Sequence, residues 1–194
     1  MASKRESNFF NMVSTLILVT GIAALSLGGI YNITKGPIEE AKLRKQEEAI
    51  KAVLPAFERL ETRMIRSAHE ADSLQFNFAF DEQDHLVGVA VNSFTNKGFS
   101  GNIKVMVGLL PDGTINNTSV LEHKETPGLG DKMQQNKSDW SLQFNGVNPA
   151  AFDLRMTKDG GQIDAITAAT ISARAFSDAI QRAYDTFELN KGDF

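Results

Sequence analysis

An uncharged apolar segment near the N-terminus is the first regularity along the chain. No charged residue occurs between Ser7 and Thr34, and Phe9 to Ile30 supplies about the 20 apolar positions that a membrane-spanning helix needs. The pattern therefore predicts a transmembrane helix over residues 9–31, preceded by a short tail, residues 1–8. A cleavable signal peptide is the alternative, although the apolar core of such a peptide usually has only about 7–15 residues.

A second helix is predicted after this segment. Gly36-Pro37 predicts a break, and the stretch Ile38–Leu54, rich in Glu, Lys, Gln and Ala, has the pattern of an amphipathic helix that Pro55 should end. Its apolar stripe consists of Ile50, Val53, Leu54 and Phe57. Residues 59–74 are weakly patterned and are expected to form a short helix or a connection. Together these residues form a linker helix region, 32–72, ahead of a globular domain, 73–194.

Alternation of apolar and polar residues predicts two successive β-hairpins in the domain. The first has strands on either side of the polar turn Asp81–Asp84, and the second turns at Pro111-Asp112-Gly113 and returns over Ile115–Glu122. The apolar positions that share a face in each strand are Phe76, Phe78 and Phe80; Val87, Val89 and Val91; and Ile103, Val105, Val107 and Leu109. Hairpins with helices before and after them predict an α+β fold, in which helices cover one face of an antiparallel sheet.

A hydroxyl-rich segment leads into the last predicted helix. Apolar residues recur at helical spacing from Phe176 to Phe187, so Thr167–Ser172 falls at the helix N-terminus. That end of a helix offers unpaired N–H groups and the positive end of the helix dipole, which suits an anion such as a phosphate. The alternative is that Thr167 or Thr170 only caps the helix, because threonine is a standard cap residue.

Two glycine-containing loops are further site candidates. Gly98-Phe99-Ser100-Gly101 lies just before a strand, and its phenyl ring can lie against a planar ligand. In His123–Lys132, Pro127-Gly128 forces a turn and Leu129 stands between glycines, where it can cover one face of a planar ligand while backbone N–H groups bond the ligand's edge. The alternatives are ordinary turns in which Phe99 and Leu129 pack into the core.

Composition excludes several kinds of chemistry. The 194-residue chain suits one domain with an appendage, and its net charge of −4, without a basic stripe, argues against nucleic-acid binding. The absence of cysteine excludes disulfides, thiolate iron–sulfur ligation and cysteine nucleophiles. The histidines, His69, His85 and His123, show no ligand spacing, so no metal site is expected. Any redox role therefore requires another cofactor.

Taken in order, the anchor, the hairpins and the two loops resemble membrane-anchored flavoproteins that carry FMN on a threonine. The hydroxyl-rich segment resembles the family's attachment motif, which is Ser or Thr, Gly or Ala, Ala, Thr, any residue, and Ser or Thr. Thr167-Ala168 stands where the family commonly has Ser-Gly. The best overall match is the family of G subunits of the Rnf ion-translocating electron-transport complex, which is related to the C subunits of the sodium-pumping NADH:quinone oxidoreductase.

The resemblance implies covalent FMN, joined by a phosphoester to Thr170. It also implies cofactor contacts from the two loops and from the segment around the attachment residue. These contact residues are Phe99, Ser100, Glu125, Thr126, Gly128, Leu129, Gly130, Thr167, Ala168, Ala169 and Ile171.

The resemblance further implies an electron-transfer subunit, rather than an enzyme acting alone, in an inner-membrane complex that moves electrons between ferredoxin and NAD while transporting Na⁺ or H⁺. It implies a cytoplasmic N-terminus and a periplasmic FMN domain, whereas basic residues on both sides of the apolar segment leave the orientation open. The implied partners are the other membrane and cytoplasmic subunits and a flavin transferase. The alternatives are the equivalent subunit of a sodium-pumping NADH:quinone oxidoreductase, a non-redox anchoring or assembly module, and a self-contained flavin reductase.

Overall fold

The computed structural model describes residues 8–68 and 72–193 of the chain. The rest of the predicted N-terminal tail and His69 lie outside the described residues. The chain divides into two compact units, of which the first ends at Arg44 and the second begins at Lys45. The second unit holds the sheet and all of the candidate site residues.

Helix α1, Phe9–Val53, contains the predicted transmembrane segment. Within the described part of the chain it is the one helix that is long and apolar enough to cross a membrane. Its apolar side chains are exposed, with Leu25 at 79% and Leu27 at 72% of their maximum, which suits contact with lipid.

The break predicted at Gly36-Pro37 is wrong, because α1 continues through Pro37. Proline removes one backbone donor from a helix and can bend it without ending it, and the residues that follow, mostly Glu, Ala, Lys, Leu and Gln, are strong helix formers. The predicted C-terminal end is confirmed, since the helix stops at Val53, two residues before Pro55.

A five-stranded antiparallel sheet follows, with its strands in the order β1-β2-β3-β4-β5. Both predicted hairpins are present, and β5 has the bounds expected for it. The strands are β1, Arg59–Arg66; β2, Ser73–Phe80; β3, Leu86–Gly98; β4, Gly101–Leu109; and β5, Ile115–Glu122. The turn between β4 and β5 is closed by Gly113, at a φ of +91° that favours glycine.

The short helix or connection expected over residues 59–74 is wrong, because β1 occupies most of that segment and pairs with β2 along its whole length. Strand β1 lies at the edge of the sheet with most of its side chains exposed, so no apolar alternation marks it in the sequence. The guanidinium groups of Arg59 and Arg63 instead lie over the rings of Phe80 and Phe78. The predicted domain boundary at residues 72 and 73 thus falls between two paired strands.

Helix α2, Thr170–Asn190, packs against one face of the sheet, and its predicted apolar stripe is buried there. The same cluster contains the inward faces of β2, β3 and β4. The buried helix residues of the stripe are Phe176, Ala179, Ile180, Ala183, Tyr184 and Phe187. The Ser93 hydroxyl donates a 2.7 Å hydrogen bond to the Ala179 carbonyl oxygen, which joins the helix to the middle of β3.

The opposite face of the sheet is also covered, so the expectation that helices cover one face is wrong. The last turns of α1 pack there, with Ala49, Ile50, Val53 and Leu54 against small or flexible side chains of the sheet, Ala79, Ala90 and Met106. A β-bulge at Ala79–Phe80 leaves Val87 on this side instead of beside Val89 as predicted. The side-chain amides of Asn116 and Asn117 donate to the Val53 and Ala52 carbonyl oxygens, which satisfies the end of the helix.

Trp140 anchors the segment between β5 and α2. Its ring packs edge to face against Phe144 and Phe176, and its indole N–H donates a 2.6 Å hydrogen bond to the Asp164 carbonyl oxygen. The hydrogen bond holds the chain just before the hydroxyl-rich segment.

Substituting Gly108 with alanine should weaken the contact between α1 and the sheet. An added Cβ would lie 1.9 Å from the Val53 carbonyl oxygen, a backbone atom that cannot rotate away. We expect the free energy of unfolding to fall by about 2 kcal/mol or more, the range of overpacked cores. Thermal unfolding of the full chain in detergent measures this.

Gly36→Ala is the matched control, because no atom lies within 4 Å of its added Cβ and alanine favours a helix. An unchanged unfolding temperature for Gly108→Ala would contradict the close approach of α1 to β4.

Candidate functional site

Three segments far apart in the sequence meet around one cavity of about 350 Å³. They are the β3–β4 turn, the loop after β5 and the start of α2. The lining residues are Phe99, Glu125, Thr126, Leu129, Gly130, Ala168, Ala169, Thr170, Ile171 and Ser172. All of these except Ser172 belong to the set named from the sequence.

The remaining predicted contact residues lie beside the cavity and do not line it. The Ser100 backbone N–H points to Glu125, and the Gly128 backbone has a φ of +78° in the turn that brings Leu129 forward. The Thr167 side chain is exposed three residues before the helix. These three residues therefore belong to the segments that surround the cavity without lining it.

The start of α2 leaves its first N–H groups and the Thr170 hydroxyl available. The first helix residue is Thr170, and Ala169 stands at the cap position with no side-chain capping bond. The capping alternative for Thr167 or Thr170 is therefore not observed. Because the Ala173 N–H is the first to bond back, to the Ala169 carbonyl oxygen, the N–H groups of residues 170–172 have no acceptor within the helix.

Lys158 is a residue of the site that the sequence did not reveal. Its ammonium group donates a 2.5 Å hydrogen bond to Thr170 Oγ1. The neighbouring Asp159 carboxylate accepts two hydrogen bonds from the Arg174 guanidinium, which lower its pKa, so this acid is already paired. The only nearby feature of the sequence is the pair Gly160-Gly161, which is typical of a turn. Lys158 lies just before this pair and twelve residues before Thr170.

Glu125 lies at the floor of the cavity and is only 5% exposed. Its Oε1 accepts a 2.8 Å hydrogen bond from the Ser100 backbone N–H, and its Oε2 accepts a hydrogen bond from the Ser172 hydroxyl. Its own N–H donates to His123 Nδ1, and burial lowers the pKa of that imidazole. The carboxylate thus contacts both other segments of the site.

Exposed apolar side chains also line the cavity. Phe99 is 69% exposed, Leu129 is 40% exposed and Ile171 is 47% exposed. The alternative in which Phe99 and Leu129 pack into the core is therefore not observed. Exposed apolar groups around a concavity offer surface that a planar ligand can bury.

Ala168 has a strained backbone. Its φ is +62°, in the left-handed region where a Cβ is unfavourable, and it stands immediately before the cap residue of α2. This is the position at which the resembled family commonly has glycine. The tight turn is therefore retained here with an alanine.

The described residues contain no group of three or more His, Asp and Glu side chains placed to hold a metal ion. His85 lies in an exposed turn beside Asp81, and His123 contacts Gln134.

Comparison with known proteins gives a consistent set of relatives. A family model described as an FMN-binding domain matches residues 98–185, which include all three segments of the site. The chain is 34% identical over 173 residues to the G subunit of an ion-translocating oxidoreductase complex of Salmonella typhi, covering 84% of this chain and 82% of that protein. It is 43% identical over 108 residues to the protein of the same name from Shewanella piezotolerans, covering 54% of this chain and about half, 51%, of that protein.

A solved structure shares the fold. The crystal structure of Shewanella oneidensis NqrC superposes with a TM-score of 0.51 at 23% identity, covering 74% of this chain and 73% of that one. The similarity supports the α+β architecture predicted from the hairpins and helices.

Replacing Ala168 with glycine should stabilise the chain. A left-handed alanine costs about 1–2 kcal/mol, and the greater freedom of glycine in the unfolded chain offsets about 0.5–1 kcal/mol of the gain. We expect the free energy of unfolding to rise by about 0.5–1 kcal/mol, measured by thermal unfolding.

Ala150→Gly is the control, because Ala150 is exposed and is not among the residues with positive φ. It should lower the stability slightly. A loss of stability at both positions would contradict the strain at Ala168.

Proposed function

Because the chain belongs to the family of ion-translocating oxidoreductase complex G subunits, we propose that it is a membrane-anchored flavoprotein that carries FMN covalently on Thr170 and relays electrons within such a complex. The observation that carries the proposal is one cavity with two chemically different sets of groups around it. The first set is the Thr170 hydroxyl at a helix N-terminus and the Lys158 ammonium group bonded to it, and the second set is the exposed apolar side chains of Phe99, Leu129 and Ile171.

The polar groups fit the phosphate of FMN. Thr170 supplies the oxygen for a phosphoester, and Lys158 supplies a positive charge within hydrogen-bond distance of that oxygen. The free N–H groups of the first turn of α2 and the positive end of its dipole add to the attraction for an anion. This combination accounts for a phosphate better than a helix start alone would.

The apolar groups fit the isoalloxazine ring. Phe99, Leu129 and Ile171 present side chains that a planar aromatic ring would bury, and the cavity has the size of small-molecule sites. FMN, when bound, supplies the redox chemistry, and the protein supplies its position and electrostatic surroundings. The exposure of these side chains also leaves the site open to an electron-transfer partner.

We propose that a separate flavin transferase attaches the cofactor. Within the described residues the hydrogen-bond partner of Thr170 Oγ1 is the Lys158 ammonium, a donor that cannot accept the hydroxyl proton while it is charged. Neither His123 nor Glu125 bonds to this hydroxyl. Activation of Thr170 is therefore assigned to the transferase.

The membrane segment supports an anchoring role. The family relationship, and not the charges beside this segment, leads us to propose that the N-terminus lies in the cytoplasm and the flavin domain on the periplasmic side of the inner membrane. The apolar part of α1 carries no charged residue between Ser7 and Thr34, so it offers no path for Na⁺ or H⁺. Ion transport is therefore assigned to other subunits of the complex, and this chain to electron transfer.

Replacing Thr170 with valine should abolish covalent attachment, because valine keeps the shape of the side chain but lacks the oxygen. We expect the fluorescent flavin band seen for the wild type on a denaturing gel to disappear, together with electron transfer by the complex. Thr157→Val is the matched control and should keep the band, since this exposed threonine lies outside the attachment motif and does not line the cavity.

A fluorescent band that persists in Thr170→Val would move the attachment elsewhere. An assembled complex that stays fully active without the band would favour an anchoring role, and turnover by the purified chain with simple electron donors would favour a self-contained reductase.

Replacing Lys158 with glutamine should slow cofactor attachment. A hydrogen bond to a charged group contributes about 1.5 kcal/mol, and solvent reduces this at an exposed site, so we expect about three- to tenfold slower loading. Intact-protein mass spectrometry during expression measures the modified fraction.

Lys158→Arg should retain most of the loading rate because it keeps the charge. Lys137→Gln, at an exposed lysine away from the cavity, is the control. Equal loading of Lys158→Gln and Lys137→Gln would rule out a phosphate contact by Lys158.

A further inference from the structure

Glu125 joins parts of the site that are remote in the sequence. Its two carboxylate oxygens accept hydrogen bonds from the Ser100 N–H, 25 residues away, and from the Ser172 hydroxyl, 47 residues away. Ser100 belongs to the β3–β4 turn that carries Phe99, and Ser172 belongs to the first turn of α2 that carries Thr170. One side chain therefore connects the turn that carries Phe99 with the helix turn that carries Thr170.

The surroundings of this carboxylate leave it no freedom to move. A Cβ added at Gly98 would lie 2.9 Å from Oε1, and one added at Gly130 would lie 2.8 Å from Oε2 and 2.6 Å from the Ser172 hydroxyl oxygen. Glycine at both positions thus lets the loops close around the carboxylate. Glu125 is 5% exposed and Ser172 is 2% exposed, so water cannot readily replace either hydrogen bond.

The other hydrogen bonds near this turn reach a different part of the helix. Thr95 and Lys97, at the end of β3, both bond to Asp178, which lies two turns after the start of α2. In the described part of the chain, the bonds of Glu125 are the ones that connect the Ser100 turn to the first turn of α2. Removing them should let these two turns move separately.

We propose that Glu125 is a positioning residue, which aligns the Phe99 turn with Thr170, and that it is not itself a ligand of the flavin. This inference rests on the proposed function, since it concerns how the bound cofactor is held. It differs from the expectation drawn from the family resemblance, in which Glu125 contacts the cofactor directly. The two roles of Glu125 differ in what they require. Positioning requires the two hydrogen bonds of the side chain, whereas a direct effect on the flavin requires its negative charge.

The test uses the full-length chain purified from its native host and measures the attached flavin. Glu125→Ala removes both hydrogen bonds of the connection and Ser172→Ala removes one of them. In each variant we expect the visible circular dichroism per attached flavin to fall by about twofold or more, with lower fluorescence anisotropy, because the ring is less firmly held. Glu125→Gln should restore both signals, because an amide oxygen accepts from Ser100 and an amide N–H can donate to the Ser172 oxygen. Glu82→Ala, at an exposed turn, is the control.

Wild-type signals in both Glu125→Ala and Ser172→Ala would overturn the proposal. So would loss of the signals in Glu125→Gln to the level of Glu125→Ala, since that result would mean that the charge itself acts on the flavin. Loss of attachment in Glu125→Ala with recovery in Glu125→Gln would support it. If Glu125→Ala does not fold, the signals of Ser172→Ala and Glu125→Gln test the proposal. A wild-type chain without attached flavin would instead refute the proposed function itself.

Discussion

The packing of α2 against the sheet is the interaction on which the site depends. The helix buries an apolar stripe from Phe176 to Phe187, and the Ser93 hydroxyl bonds to its backbone from the middle of β3. Because a helix is rigid along its length, these contacts also fix the position of its first turn. That turn lies beside the β3–β4 turn and the loop after β5, so the core determines where Thr170 meets the other site residues.

The segments around the cavity contain residues whose backbone allows close contacts or an unusual conformation. Gly98 and Gly130 allow the Glu125 carboxylate to lie against both loops, and Ala168 accepts a left-handed conformation to start α2 at the required angle. Strain of this kind is found where the surrounding structure holds a segment in place. The site therefore has a firmly held floor below Phe99 and Leu129, whose side chains remain exposed for a ligand.

Helices pack on both faces of the sheet, which limits where a ligand can bind. Helix α2 packs on one face and the last turns of α1 pack on the other, so the strands between them present little apolar surface to a ligand. The exposed side chains of Phe99 and Leu129, in the turns at the end of β3 and after β5, line the cavity instead.

The sequence by itself determined the elements whose own residues carry a local pattern. Strands β2 to β5 and α2 show a strand or helical period, because burial of one face leaves a regular pattern in the residues of that element. The apolar segment of α1 shows instead a long apolar stretch without charged residues. The motif residues came from resemblance, and the structure brings most of them together.

Only the tertiary structure decided the features that depend on partners far along the chain. Strand β1 is held by pairing with β2 and by arginines over phenyl rings, so its own residues show no period. The end of α1 covers the second face because Gly108 lets it approach. Lys158 became visible as a site residue only through its hydrogen bond to Thr170, and the sequence motif that contains Ser172 did not reveal its hydrogen bond to Glu125, since contacts between distant residues leave no spacing for a sequence pattern to record.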